Sequence, residues 1–238
     1  MRLTVVICIM FALLSTTLMS GKVADAAAPA AQEVSVVQMQ QEIVTMWNTW
    51  YQEQDAWTKN KLKENKKNWP ELAEELAKSV KRYQHKSVQV YDWKDKTARL
   101  PIGKDAHLMA GMMAIFETKV RNDMVGELGE IGILQCHPRW CLIRNNELNQ
   151  LPMRARKNYA KEHPRLNLDA AVNHLTVSYG ICNKKIRRLN DWVYPVAHYG
   201  AGTLALENGQ CTKKDFTKAR VQKMQSYRKK IRKRRQNI

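Results

Sequence analysis

Glu117 ends an apolar run with helical spacing, and twelve positions later the chain reads Gly129-Glu130-Ile131-Gly132-Ile133-Leu134-Gln135. Leu108, Met112, Phe116 and Val120 recur every fourth residue, as do Met109, Met113 and Glu117. Two rows therefore lie side by side on one helix face, with Asp105 placed to cap its start. A carboxyl held against Met and Phe is desolvated, which favours its neutral form, and a neutral acid can donate a proton. The chemistry on offer is general acid catalysis from a single carboxyl. The same spacing also fits a carboxylate that ends the apolar face and turns to solvent. The glycines downstream favour the acid: Gly126, Gly129 and Gly132 fall at three-residue intervals, which suits left-handed turns or close backbone approach to a ligand and does not suit a helix.

Other elements must hold this acid and loop in place. Residues 36–91 read as helical, with Val37, Ile43, Met46, Trp47 and Trp50 in one segment. Leu72, Leu76, Val80 and Tyr83 form another after Trp69-Pro70. Five tryptophans, Trp47, Trp50, Trp57, Trp69 and Trp93, precede Glu117, and their helical spacing suits core packing better than sugar stacking. At 44% apolar residues and without internal repeats, the chain can bury one sizeable core.

Glu117-Thr118, then Gly129-Glu130-Ile131-Gly132-Ile133-Leu134-Gln135, then Ala197-His198-Tyr199-Gly200-Ala201-Gly202 resemble, in order, the three motifs of the soluble lytic transglycosylase catalytic domain, whose fold is related to goose-type lysozyme. Asn167-Leu168 with Ala171, Val172 and Leu175 resembles the helix before the third motif, and the likeness spans about residues 104–210. It implies a mainly α, lysozyme-like helical catalytic domain that binds peptidoglycan glycan strands. It implies Glu117 and Tyr199 as catalytic residues, with Thr118, Gly132, Gln135, Gly200 and Ala201 lining the substrate. Thr118 replaces the usual Ser and keeps its hydroxyl. Gly200 replaces the motif Asn, which removes a side-chain donor and acceptor, and His198 precedes Tyr199 where a small apolar residue is common.

The reaction implied is cleavage of the β-1,4 bond between N-acetylmuramic acid and N-acetylglucosamine with closure of a 1,6-anhydro ring. Glu117 would act first as acid and then as base, and Tyr199 would orient its carboxyl. Ordinary glycosidases need two carboxylates. Asp123, Glu127 and Glu130 are the nearby acids, and all three read as solvated loop charges. A lysozyme-type hydrolase on the same fold and a non-catalytic wall-binding or secretion-apparatus protein are the alternatives.

The ends of the chain bear on compartment and partners. Arg2, the apolar run Val5 to Leu14 and the small residues Ala24-Asp25-Ala26 and Ala27-Ala28 read as a secretory signal over residues 1–26, directing export to a periplasm or cell envelope. After it come a helical N-terminal extension over 27–103, the catalytic domain over 104–211 and a basic tail over 212–238. Cys8 leaves with the signal, and Cys136, Cys141, Cys182 and Cys211 remain as disulfide candidates. A Cys136–Cys141 bridge would fix the loop after Gln135, leaving Cys182 to pair with Cys211. No Cys-x-x-Cys pair favours zinc, and no metal or cofactor is expected.

The tail carries twelve Lys or Arg against one acid, eleven of the eighteen net positive charges. Val221, Met224, Tyr227 and Ile231 give it a narrow apolar stripe, so it reads as a basic helix or tail. Behind a signal peptide its partner is an anionic membrane or envelope surface, and not nucleic acid. A role beside a secretion, conjugation or phage machine stays open.

Overall fold

A helix with a continuous apolar stripe opens the described part of the chain. The computed structural model describes residues 34–84 and 106–183 (side chains through 178), Tyr199, residues 206–207 and 210–211, and helical positions 222, 225, 226, 229 and 233. Ser35 caps helix α1 (Val36–Gln52), its hydroxyl accepting from the Gln38 amide at 3.1 Å. Met39, Ile43, Met46, Trp47 and Trp50 form its buried face. Val37, expected on that face, is 60% exposed, because a stripe running through Met39 and Ile43 turns it to the opposite side. Asp55 caps α2 (Ala56–Lys66), a polar helix whose buried residues are Thr58 and Leu62. In α3 (Trp69–Tyr83), Ala73, Leu76, Ala77, Val80 and Tyr83 are buried, and the Trp69 ring meets Trp47, Trp50 and Tyr51 at 5.9–6.3 Å. Core packing is thus the role of Trp47, Trp50 and Trp69. Trp57 is exposed beneath Lys61, and Trp93 lies outside the described residues.

Helix α4 (Ala106–Thr118) carries the candidate acid. The expected two-row stripe understates it, because every residue from Ala106 to Ile115 is buried and the helix is enclosed on all sides. Helices α1 and α3 both pack on it. The Trp47 indole donates to the Gly111 carbonyl at 2.8 Å, and a Cβ at Gly111 would strike Met46. His107 Nε2 lies 2.7 Å from the buried Glu42 carboxylate of α1.

After the loop that succeeds α4 come a 3-10 turn (Leu142–Arg144), the short α5 (Asn146–Asn149), α6 (Met153–Glu162) and the long α7 (Pro164–Asn183). Strands β1 (Leu206–Glu207) and β2 (Gln210–Cys211) pair antiparallel, and β2 packs on α7. The fold is mainly α. Helix α7 packs on α3, where Asp169 accepts from Ser79 at 2.7 Å and from Arg82. Arg156 of α6 is buried and donates to the carbonyls of Leu148, Pro138 and Leu151 at 2.9–3.1 Å, gathering three chain segments around one guanidinium.

Helices of the expected N-terminal extension pack on the first helix after the 103/104 boundary. Helices α1 and α3 wall in α4, and Glu33–Ile238 forms one compact unit. The signal segment 1–26 and the Asp105 cap lie outside the described residues. Positions 222, 225, 226, 229 and 233 of the tail are helical and exposed. Among the described residues no helix is long and apolar enough to cross a membrane.

Candidate active site

Glu117 occupies the last turn of α4, half-buried beside the half-buried Phe116. The helix ends abruptly behind it. Lys119 (φ 55°) and Val120 (φ 60°) both take the left-handed conformation, and for a β-branched residue such as Val120 that is a strained geometry. Burial of the Val120 side chain and a 3.1 Å hydrogen bond from its amide to the Ala114 carbonyl hold the pair in place. Gln135, at φ 49°, is the other non-glycine residue with positive φ among those described. All three flank Glu117 or close the glycine loop beyond it. Neither Lys nor Val favours this conformation, so no residue type announces the strain in the sequence.

Thr118 is 3% exposed. Its hydroxyl accepts from the Arg121 amide and lies 3.1 Å from both the Ala114 and Ile133 carbonyls. Thr118, expected to line the substrate, ties the end of α4 to the glycine loop. In that loop Ile131 bridges to Val125 on one side and to Cys136 on the other. Gly129 (φ 87°) and Gly132 (φ 73°) take the left-handed turns. A Cβ at Gly132 would strike the Asn167 amide of α7, which donates to the Ile131 carbonyl at 3.3 Å. The Gln135 amide donates to the Gly132 carbonyl at 3.0 Å and bears on the Met124 carbonyl, so it braces the loop from within.

Tyr199 comes from much later in the chain, and its hydroxyl donates to the Leu134 carbonyl at 2.6 Å. Its ring lies 5.3 Å from that of His174 of α7, a neighbour that no motif marks. Gly200 and Ala201 lie outside the described residues. Three separated segments therefore meet at two adjacent peptide carbonyls, Ile133 and Leu134.

The other acids have local roles. Asp123 is exposed and paired with Arg121 at 2.9 Å, whose guanidinium holds that carboxyl below its ordinary pKa. Glu127 is exposed. Glu130, expected in solvent, is half-buried and accepts from the Leu128 amide at 3.1 Å, because the glycine turns fold it back on the loop. A cleft of about 210 Å³ lies between the loop and α6–α7, lined by Asp123, Gly132, Lys161 and Asn167 among others, and Glu117 is not in its lining.

Cys136 and Cys141 form a disulfide that closes the segment after Gln135. The Cys182–Cys211 pairing lies outside the described side chains, although the elements carrying these residues, α7 and β2, pack together. Among the described residues no group of three or more His, Cys, Asp or Glu could hold a metal ion. Comparison of the chain with protein-family models, curated proteins and solved structures finds no match.

Proposed function

We propose that this chain is a peptidoglycan lytic transglycosylase on a lysozyme-like fold, exported to the periplasm or cell envelope. The observation that carries the proposal is the convergence on Ile133 and Leu134. Thr118, next to the candidate acid, and Tyr199, eighty-one residues further on, anchor neighbouring carbonyls of the same glycine loop. Residues expected from three motifs thus share one locality, with Glu117 at its edge. Strain at Lys119, Val120 and Gln135 adds support, since costly backbone geometry concentrates at functional sites.

In the proposed reaction the Glu117 carboxyl gives its proton to the glycosidic oxygen as the bond to the anomeric carbon breaks. The resulting carboxylate then takes the proton of the muramoyl C6 hydroxyl while that oxygen bonds to the anomeric carbon. No water is added, and Glu117 ends as it began. The hydroxyl of Tyr199 donates to the Leu134 carbonyl, which ties this residue to the loop beyond Glu117.

Digestion of purified sacculi followed by mass spectrometry tests the assignment. Released fragments should carry anhydro ends, lighter by one water than reducing ends. Glu117→Gln should lower their release by about 10²-fold or more, the usual effect of losing a general acid. Activity above roughly a tenth of wild type in that variant would overturn the role of Glu117. Reducing ends in place of anhydro ends would make the protein a hydrolase.

A further inference from the structure

Between Cys136 and Cys141 the chain presents His137-Pro138-Arg139-Trp140 in a loop closed by the disulfide. The loop is fixed from several sides. The amides of Cys141 and Leu142 donate to the His137 carbonyl at 2.9 and 3.1 Å, and the Arg139 amide donates to His137 Nδ1 at 3.1 Å. From the core side, the buried Arg156 guanidinium donates to the Pro138 carbonyl at 3.1 Å. Yet the Arg139 and Trp140 side chains that this rigid loop carries are not packed. Trp140 is 57% exposed and Arg139 is exposed, whereas Pro138 and both cysteines are buried. The Arg139 guanidinium lies 4.6 Å from the Trp140 ring centre, and the His137 ring lies 6.4 Å away, 24° from parallel.

An exposed indole contributes little to the core, and leaving it in water forgoes the stabilisation that burial would give. A tryptophan whose backbone is already immobilised loses little further freedom on binding, which is what a recognition residue requires. Trp57 makes the contrast: it is exposed at 65%, but on the side of the regular helix α2, paired with Lys61 one turn along and fixed by no crosslink.

We propose that Trp140, with Arg139 and His137, forms a subsite for a sugar ring whose attached peptide carries a free carboxylate. The apolar C–H face of the ring would lie on the indole, and Arg139 would take the carboxylate through a charge-assisted hydrogen bond. The subsite rests on the proposed function. It is continuous with the candidate active site, because Cys136 pairs with Ile131 of the glycine loop and directly succeeds Gln135. A lipid surface fits less well, since Trp140 is the one exposed apolar side chain of this loop and membrane contact calls for a broader apolar face.

Co-sedimentation of the full-length protein on ice tests this, using intact sacculi, sacculi stripped of peptides by an amidase, and phosphatidylglycerol vesicles. Trp140→Ala should weaken binding to both kinds of sacculi by about threefold to tenfold, the range one aromatic contact supplies, while Trp140→Phe keeps most of it. Arg139→Ala should weaken binding to intact sacculi only, because the amidase removes the peptide carboxylates and leaves the lactyl carboxylate close to the ring; equal weakening on stripped sacculi would overturn the assignment to a peptide carboxylate. Trp140→Ala binding within experimental error of wild type, or losing affinity for vesicles and not for sacculi, would overturn the subsite. If Trp140→Ala loses sacculus binding while Glu117→Gln still cleaves, the subsite stands and the catalytic assignment falls.

Discussion

The buried hydroxyl of Thr118 does three things at once: it receives the Arg121 amide, bonds back into α4 and reaches the glycine loop through Ile133. Removing it in Thr118→Val leaves buried polar groups unpaired, so about 1–3 kcal/mol of stability should be lost. Thr118→Ser, which keeps the oxygen, should stay close to wild type. Thermal melts of both variants check this, and equal melting of the Val variant would mean that the loop is held elsewhere. Glu117 and Tyr199 can be picked out from the sequence because the proposed chemistry would reside in their side chains. The role of Thr118 cannot, since its partners are peptide carbonyls, and every residue type carries one. Lys119 and Val120 are hidden for a related reason: their left-handed backbone is imposed by what surrounds them and runs against their own preferences.

At the level of elements, the helices with the clearest apolar repeats are the legible ones. The stripes of α1 and α3 and the spacing of Asn167, Leu168, Ala171, Val172 and Leu175 in α7 all lie at buried positions, apart from Val37 and the half-buried Leu72. Helix α2 does not stand out in the sequence, because with two buried residues it has almost no stripe to read. The periodicity of α4 misleads about its sidedness because a helix enclosed by its neighbours has no polar face to show its orientation. Between elements, the Cys136–Cys141 bridge closes so short a loop that chain entropy assigns it only about 2 kcal/mol. Replacing both cysteines by Ala should therefore lower the melting temperature by about 4–8 °C, with the loop still held by Arg156. A melt equal to wild type would show that the bridge contributes nothing to stability.

For the whole molecule, the division of labour lies between a packed body and its basic C-terminal end. Residues 212–238 hold eleven of the eighteen net positive charges, and their described positions are exposed. Truncation after Cys211 should weaken binding to sacculi or anionic vesicles at low salt, and added salt should erase the difference, because exposed charges are screened over about 8 Å at physiological ionic strength. Cleavage of short soluble glycans should persist. Loss of that cleavage with normal binding would instead make the tail a packed structural helix. The body itself is less symmetric than its helical outline implies. Helix α4 is enclosed over ten consecutive residues and cannot shift without repacking its neighbours, whereas the glycine loop buries Ile131, Ile133 and Leu134 but leaves Val125, Glu127 and Leu128 exposed. The two walls of the site therefore differ in stiffness. Under the proposed function the candidate acid stands at the end of the stiffer wall, and the motion that admits a glycan strand and releases its pieces falls to the exposed stretch of the loop.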